Sequence, residues 1–285
     1  MNKTYKPVII IGAPRSGTNI LRDVLTSLSG VGTWPCDEIN YIWRHGNVKY
    51  PSDEFPPDLA NLKVKEFING QFRKLAIQYD LDYIVEKTCA NSLRVGFVNE
   101  VMPNAKYIFI IRNGIDVTAS AIKRWKADLD LKYVLRKARY IPASDIPYYS
   151  TKYIWNRLYK LMNSDKRLAF WGPKLNEMND LSNQYSIHEI AALQWQKCVI
   201  NAENDFKHIN ETRIHRLKYE NFVLNPENEL AEICDFMEVP IPNNLNLISK
   251  QVSKSSIGKG TGSLNPDILN KIVPLIKNTL QEYNY

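Results

Sequence analysis

One stretch near the N-terminus, Lys6 to Leu28, constrains the fold of this chain more than any other. Val8 to Ile11 is a short, β-branched apolar run, which is typical of a strand buried on both faces. A loop of mostly small residues, Gly12 to Asn19, follows it, and apolar residues then recur at helical spacing. A strand, a tight glycine loop and a helix point free backbone N–H groups and a helix N-terminus at an anion. The stretch therefore predicts a phosphate-binding loop.

The side chains of this loop supply one fixed positive charge and several hydrogen-bond donors. Gly12 and Gly17 have the spacing of the nucleotide motif G-x-x-x-x-G-K-[ST], but Thr18 stands where that motif has lysine. A loop without this lysine is poorly suited to a triphosphate with a metal ion, yet it can hold one phosphate while Arg15 points at a neighbouring leaving group. An ordinary strand–turn–helix with an exposed arginine is the alternative. The candidate binding residues of the loop are Arg15, Ser16, Gly17, Thr18 and Asn19.

The same arrangement recurs in the middle of the chain. Ala105 to Ile111 predicts another buried strand, with Arg112 at its carboxyl end, then a glycine turn and a helix. Ser120 and Arg124 are four residues apart, so they share a face of that helix. Together with Arg112 they can bind one more phosphate. Two anion sites on neighbouring strands would suit a ligand with phosphates at both ends.

Two further strands complete the predicted sheet. Leu81 to Val85 ends in Glu86 and Lys87, and Thr212 to Leu217 alternates apolar and polar residues. In an open parallel sheet, ligands bind beyond the carboxyl ends of the strands, which would place Glu86 and Lys87 in the site. The alternative is a solvated pair that opens the next helix, with Thr88 as its cap. These elements predict an α/β fold around a parallel sheet.

Three irregular segments are expected to surround the site. Residues 30–47 set Glu38 and other polar groups among aromatic side chains, which suits a pocket wall, although a surface loop docked on the core fits nearly as well. Residues 127–184 are expected to be an insertion of short helices and loops that covers the site. Residues 252–263 are basic and rich in Gly and Ser, so they can fold over an anion or serve as a flexible linker.

The amino-acid composition limits the ligands, partners and location expected for this protein. The formal net charge is +7, from 37 basic and 30 acidic residues, which fits an anionic ligand or nonspecific affinity for nucleic acid. The absence of like-charge runs and of an RNA-binding signature argues against a nucleic-acid partner. No leader-like or membrane-length apolar run occurs, so we expect a soluble, cytoplasmic protein without an integral membrane segment. The four cysteines form no CxxC pair, and reduced thiols are expected.

Taken in order, five stretches resemble the sulfotransferases that use 3′-phosphoadenosine 5′-phosphosulfate (PAPS). They are GAPRSGTN, EKT, PNAKYIFIIRNGIDVTAS, RLKYENFVLNPENELAEICDFMEV and SSIGKGTGSLNPDILNKI. The phosphate loop and the C-terminal stretch are most similar to tyrosylprotein sulfotransferases and their bacterial relatives. The resemblance implies one P-loop-type three-layer domain over residues 1–285, with a central parallel sheet flanked by helices. It also implies PAPS as co-substrate and no metal.

The resemblance assigns roles around PAPS. The loop from Arg15 to Asn19 would hold the 5′-phosphosulfate end, and Arg112 with Ser120 would hold the 3′-phosphate. Arg124 matches a further contact, and Tyr219 stands where the family contacts adenine. The segment that would close over PAPS corresponds to residues 253–258 with Lys259, and it includes Ser256 and Gly258.

The implied reaction is in-line transfer of a sulfuryl group to an acceptor hydroxyl. It needs a base for the hydroxyl proton and cations where negative charge develops. By resemblance, Arg15 serves the leaving group and Lys87 contacts the sulfuryl group. Glu86 matches the base of heparan-type enzymes, whereas Glu38 resembles the base of the tyrosylprotein branch. Both stay candidates, and the polar residues around Glu38 favour it.

Other functions stay open at this stage. A P-loop nucleotide kinase would need lysine at Thr18 and a metal-binding aspartate after a strand, and neither is evident. A non-catalytic protein that binds anions or nucleotides would show no turnover and a steep salt dependence. The sequence leaves the acceptor open between a glycan, a lipid and a peptide hydroxyl, and a homodimer remains possible.

Overall fold

The computed structural model describes residues 3–125, 137–151, 172–253 and 257–285. Its centre is a five-stranded sheet in the order β2-β3-β1-β4-β5, and every pairing is parallel. This confirms the predicted parallel α/β fold. It also makes neighbours of β1 and β4, the two strands that are followed by Arg15 and Arg112. The strands are β1 (Lys6–Ile11), β2 (Val31–Gly32), β3 (Tyr83–Lys87), β4 (Lys106–Ile111) and β5 (Ile214–Lys218).

Helices cover both faces of the sheet. Among the described residues, the α-helices used below are α1 (Thr18–Leu25), α2 (Asn40–Trp43), α3 (Leu62–Tyr79), α4 (Val95–Val101), α5 (Gly114–Trp125), α6 (Met178–Gln184), α7 (Ile187–Phe206), α8 (Tyr219–Leu224), α9 (Pro226–Met237), α10 (Leu245–Ser249), α11 (Lys259–Ser263) and α12 (Pro266–Glu282).

Alternate residues of the central strands enter two separate cores. Ile9 and Phe109 pack with α3, α4, α5, α7 and α12, whereas Ile10 and Ile110 pack with α1, α8, α9 and α10. The two cores make the three layers that the sequence predicts. Burying one isoleucine side chain contributes about 1.5–3 kcal/mol, so the all-apolar stretch of β1 fixes the strand at the centre of the sheet.

Two local features differ from the sequence prediction. The helical segment that follows β3 begins as a 3₁₀ turn, Cys89–Leu93, and continues as α4. The Thr88 hydroxyl donates to the Glu86 carboxylate at 2.5 Å and therefore does not cap this turn. The strand β2 escaped prediction because two residues carry no recognisable alternation.

The first turn of α7 is stabilised from its N-cap residue. Ser186 and Glu189 form a capping box, in which the Ser186 backbone N–H donates to the Glu189 carboxylate at 2.9 Å. Within the described residues, no helix has both the length and the hydropathy of a membrane span. The predicted insertion at 127–184 falls partly outside the described residues, which include 137–151 and 172–184 of it.

Candidate active site

The phosphate-binding loop leaves β1 at Gly12 and enters α1 at Thr18. Arg15 and Gly17 both have positive φ, 71° and 91°, which turns the chain sharply back toward the helix. At Gly17 a Cβ atom would run into the ring of Tyr219, so only glycine permits this packing. The loop conformation thus depends on Tyr219, the first residue of α8, which is distant from the loop in the sequence.

The hydroxyl groups of this loop suit an anion. Ser16 is fully buried, and its Oγ has no hydrogen-bond partner among the described residues. Buried polar atoms are normally satisfied, so this hydroxyl is available to a ligand held in the loop. The Thr18 hydroxyl instead lies 3.7 Å from the Cys89 sulfur.

Three arginines converge next to the loop. Arg15, Arg112 and Arg124 line one cavity, and the Arg15 Nε donates to the Ser120 hydroxyl at 3.0 Å. The pKa of Arg15 is lowered, first because the surrounding protein withholds water and then because Arg124 and Arg112 repel its charge. A bound anion would relieve this repulsion, so the chemistry of the cluster suits an anion.

Arg112 is held from several sides. Its Nη1 donates to the Arg15 carbonyl at 3.0 Å, its guanidinium lies 4.5 Å from the Tyr219 ring centre, and its Nη2 lies 3.6 Å from the Asp116 carboxylate. Trp195 fixes the backbone by donating from its indole N–H to the Arg112 carbonyl at 3.1 Å. The arginine is therefore positioned before any ligand arrives.

The cavity extends well beyond the arginines, with a volume of 1040 Å³. At its arginine end, defined by Arg15, Arg112, Arg124 and Tyr219, lies the phosphate-binding loop. At its tyrosine end, defined by Tyr41, Tyr50 and Tyr149, the walls come from residues 40–53 and from residues 149 and 172–174. Ligand pockets usually measure about 300–1,000 Å³, so this cavity has room for two ligands side by side.

A carboxylate between two lysines also lines the cavity. Glu38 Oε1 lies 3.1 Å from the Lys87 ammonium, and Glu38 Oε2 lies 3.5 Å from that of Lys137. The Cys89 backbone N–H also donates to Oε1, at 3.4 Å. Burial alone would raise the pKa of Glu38, but Lys87 and Lys137 lower it to about 2. Glu38 is therefore ionised at neutral pH.

Glu86 occupies a different environment. Its side chain is 1% exposed and does not line the cavity. It accepts hydrogen bonds from the Thr88 hydroxyl and from the Asn91 amide at 3.0 Å, and burial raises its pKa to about 7. The Thr88 hydroxyl in turn accepts from the Ile39 backbone N–H at 3.1 Å. Glu86 thereby supports the segment that carries Glu38.

The structure brings together most of the residues singled out in the sequence. Ser256 lies outside the described residues, and Lys259 is exposed at the first position of α11 and does not line the cavity. Sequence reasoning missed Asp116 and Lys137. Asp116 follows Arg112 at i+4 spacing, which is a usable signal, whereas Lys137 lies in a stretch without any period. The predicted site residues that line the cavity are Arg15, Gly17, Thr18, Asn19, Glu38, Lys87, Arg112, Arg124 and Tyr219.

Comparison with known proteins places this chain in a family. A family model described as the sulfotransferase domain matches residues 5–265. An uncharacterized protein of Aquifex aeolicus (strain VF5) is 32% identical over 130 residues, which are 40% of this chain and 16% of that protein. The chain therefore corresponds to about a sixth of the length of this curated relative.

Solved structures share the fold at low sequence identity. The sulfotransferase domain from the curacin biosynthetic pathway has a TM-score of 0.55 at 15% identity, over 96% of this chain and 98% of that one. Mouse sulfotransferase SULT7A1, complexed with PAP, has a TM-score of 0.53 at 12% identity, over 99% and 86%. A sulfotransferase from Alicyclobacillus acidocaldarius has a TM-score of 0.52 at 14% identity, over 98% and 94%.

A parallel sheet, with a sharply turned glycine loop that leads from β1 into α1, defines the class as a P-loop-type α/β protein. Within that class, the chain belongs to the sulfotransferase family.

Proposed function

We propose that this chain transfers a sulfuryl group from PAPS to an acceptor hydroxyl and releases 3′,5′-ADP (PAP). One observation carries the proposal: a single cavity is lined both by three converging arginines and by the Glu38–Lys87 ion pair. The PAP bound to a protein of the same fold, mouse SULT7A1, supports the same ligand here. A kinase is less well supported, because the loop lacks the lysine that reaches a triphosphate.

The two anion clusters match the two phosphate-bearing ends of PAPS. The loop, with the unpartnered Ser16 hydroxyl and the N-terminus of α1, is suited to the 5′-phosphosulfate. Arg112, Ser120 and Arg124 are suited to the 3′-phosphate. Tyr219 packs between the loop and Arg112, where its ring can contact the nucleoside.

Glu38 acts as the base in this proposal. It takes the proton from the acceptor hydroxyl as the oxygen–sulfur bond forms, while the bond from sulfur to the 5′-phosphate oxygen breaks. Lys87 donates to the sulfuryl oxygens, and Arg15 stabilises the charge that builds up on the leaving phosphate. When Lys87 turns to the sulfuryl group, Glu38 loses part of the attraction that lowers its pKa and becomes a better proton acceptor.

The chemistry assigned to these residues needs no metal ion. Among the described residues, one group with the spacing to hold a metal consists of His215, Glu229 and Glu232, and none of the three lines the cavity.

The acceptor is a hydroxyl compound that enters from the tyrosine end. Glycan, lipid and peptide hydroxyls are the classes to test.

Calorimetric titration with PAP tests the proposal directly. Wild-type protein should bind PAP, and Arg112→Ala should weaken binding by about tenfold or more, because a charge-assisted phosphate contact is lost. Lys123→Ala, an exposed change on α5, is the matched control and should bind like wild type. ATP with Mg²⁺ should bind poorly to every variant. If wild-type protein fails to bind PAP, the proposed function is wrong.

A further inference from the structure

Asp116 connects the arginine end of the cavity to the C-terminal part of the chain. Its side chain lies in the first turn of α5 and is buried, with 5% exposed. The carboxylate accepts hydrogen bonds from two backbone N–H groups, those of Gly258, at 2.8 Å, and of Gly260, at 2.5 Å. The oxygen that accepts from Gly258 also lies 3.6 Å from Arg112 Nη2. One carboxylate thus touches both the arginine and the segment that begins α11.

Steric contact reinforces these hydrogen bonds. A Cβ atom on Gly260 would lie 2.6 Å from the Asp116 Cα and 2.7 Å from its backbone nitrogen. Real Cβ atoms do not approach backbone so closely, so only glycine lets α11 sit directly on α5. The contact therefore fixes where Gly258 and Gly260 lie relative to the helix that carries Ser120 and Arg124.

The contacts continue from Asp116 to the phosphate-binding loop. Arg112 donates to the Arg15 carbonyl, and Arg15 donates in turn to the Ser120 hydroxyl. Asp116, Arg112, Arg15 and Ser120 consequently form one connected set, and the backbone of Gly258 and Gly260 is attached to it. A guanidinium and a peptide segment that are already held in place lose less entropy when a ligand binds.

We propose that Asp116 is a positioning residue for the 3′-phosphate of the nucleotide. It holds the Arg112 guanidinium in its binding orientation and anchors the backbone at Gly258 and Gly260 beside it, and it does not itself touch the ligand. This inference rests on the proposed function, since it presupposes that Arg112 binds the 3′-phosphate. The charge of Asp116 does not compete with the phosphate, because two N–H groups and Arg112 already neutralise it.

Two ligands that differ only in the 3′-phosphate test the inference. In calorimetric titrations, Asp116→Asn should weaken PAP binding by about tenfold and leave 5′-AMP binding within about twofold of wild type. A purely structural role would weaken both ligands alike. Asp267→Asn places the same substitution in the exposed first turn of α12 and should change neither affinity.

A second variant separates position from charge. Gly260→Ala keeps Asp116 but forces α11 away from α5, and it should reproduce the selective loss of PAP binding. Gly262→Ala is its control in the same helix, because a Cβ there meets nothing within 4 Å. This pair keeps the test decisive if Asp116→Asn folds poorly.

The outcomes separate the two proposals. If wild-type protein does not bind PAP, or if Arg112→Ala binds it normally, the proposed function fails. Suppose that wild-type protein binds PAP through Arg112. If Asp116→Asn then binds PAP equally well, Asp116 does not position the arginine, and if it binds PAP more tightly, Asp116 competes with the ligand; either result overturns the positioning role. Equal losses for PAP and 5′-AMP in both variants would also overturn it.

Discussion

The two ends of the cavity are built in different ways. The arginine end comes from residues at or beyond the carboxyl ends of strands: Arg112 and Tyr219 directly follow β4 and β5, and Arg15 lies in the loop after β1. Arg124 is added by α5, the helix that follows β4. The tyrosine end comes from segments that connect the strands and helices. Contacts between side chains that are far apart in the sequence hold these segments together. The first is positioned by the sheet itself, whereas the second depends on specific buried ion pairs. The same cavity therefore contains one part that the fold dictates and one part that individual contacts dictate.

Asp53 shows how the tyrosine end is held. Its carboxylate accepts from Arg44 at 2.8 Å and from the Lys174 backbone N–H at 2.8 Å, and it lies 3.6 Å from the Arg94 guanidinium. Burial lowers the pKa of Arg94 to about 10, although Asp53 partly offsets this effect. Next to this network, the rings of Tyr41 and Tyr149 meet edge to face at 4.8 Å.

The largest effect is expected at the arginine end. Arg15→Ala should lower turnover, measured as PAP released from PAPS, by about 10²–10³-fold, because the leaving phosphate loses its counter-charge. Arg15 has positive φ, and alanine is no better suited to that conformation, so backbone strain stays similar. Lys123→Ala serves again as the exposed control. Normal turnover by Arg15→Ala would remove the leaving-group role.

At the tyrosine end, the corresponding change should affect stability and leave PAP binding intact. Asp53→Ala leaves two buried guanidiniums without their counter-ion and should lower the free energy of unfolding by about 3–5 kcal/mol. PAP affinity of the folded fraction should stay within about twofold, because the arginine end does not depend on this network. Denaturant unfolding and calorimetry measure the two quantities, with the exposed Asp58→Ala as control. A matching loss of PAP affinity would show that the two ends are not independent.

The sequence predicted the arginine end well because its residues obey local rules. An apolar run followed by a glycine turn and an arginine can be recognised in the sequence. The parallel pairing of β1 and β4 follows from the fold class. Asp116 could have been predicted by the same reasoning, since it lies one helical turn after Arg112.

The tyrosine end could not be predicted in this way. Asp53 meets Lys174 across 121 residues, and Glu38 meets Lys137 across 99. No periodicity links such pairs, and each contact depends on how a connection packs over the sheet. For the same reason the sequence left Glu38 and Glu86 undecided, since their access to the cavity and their neighbours separate them and local spacing does not.

Glu38 and Glu86 allow a sharper test of the proposed base. Glu38→Gln should lower turnover by about 10²-fold or more, because the proton acceptor is lost. Glu86→Gln should retain most of the turnover, since glutamine can still accept from Thr88. Equal losses in PAP release would contradict the assignment of Glu38 as the base.

The two carboxylates should also influence stability in opposite directions with pH. Because the folded-state pKa of Glu86 is raised to about 7, its contribution to stability is present at low pH and is lost as pH rises toward and through 7. The pKa of Glu38 is lowered to about 2, so its contribution is present above its unfolded pKa and is lost as pH falls toward 2. In unfolding measurements from pH 5 to 8, Glu86→Gln should therefore gain stability relative to wild type as pH increases. An unchanged difference across this range would contradict the raised pKa.

The smallest effect is expected at Lys137. This lysine pairs with Glu38 Oε2, and its removal should raise the pKa of Glu38 modestly, since Lys87 still pairs with Oε1. In Lys137→Gln, the acidic limb of the pH profile for PAP release should move to higher pH, while the affinity for PAP stays unchanged. Arg139→Gln, an exposed neighbour two residues away, is the matched control. If the profile does not move, Lys137 holds the covering segment without tuning the base, and the tyrosine end affects the chemistry only by shaping the cavity.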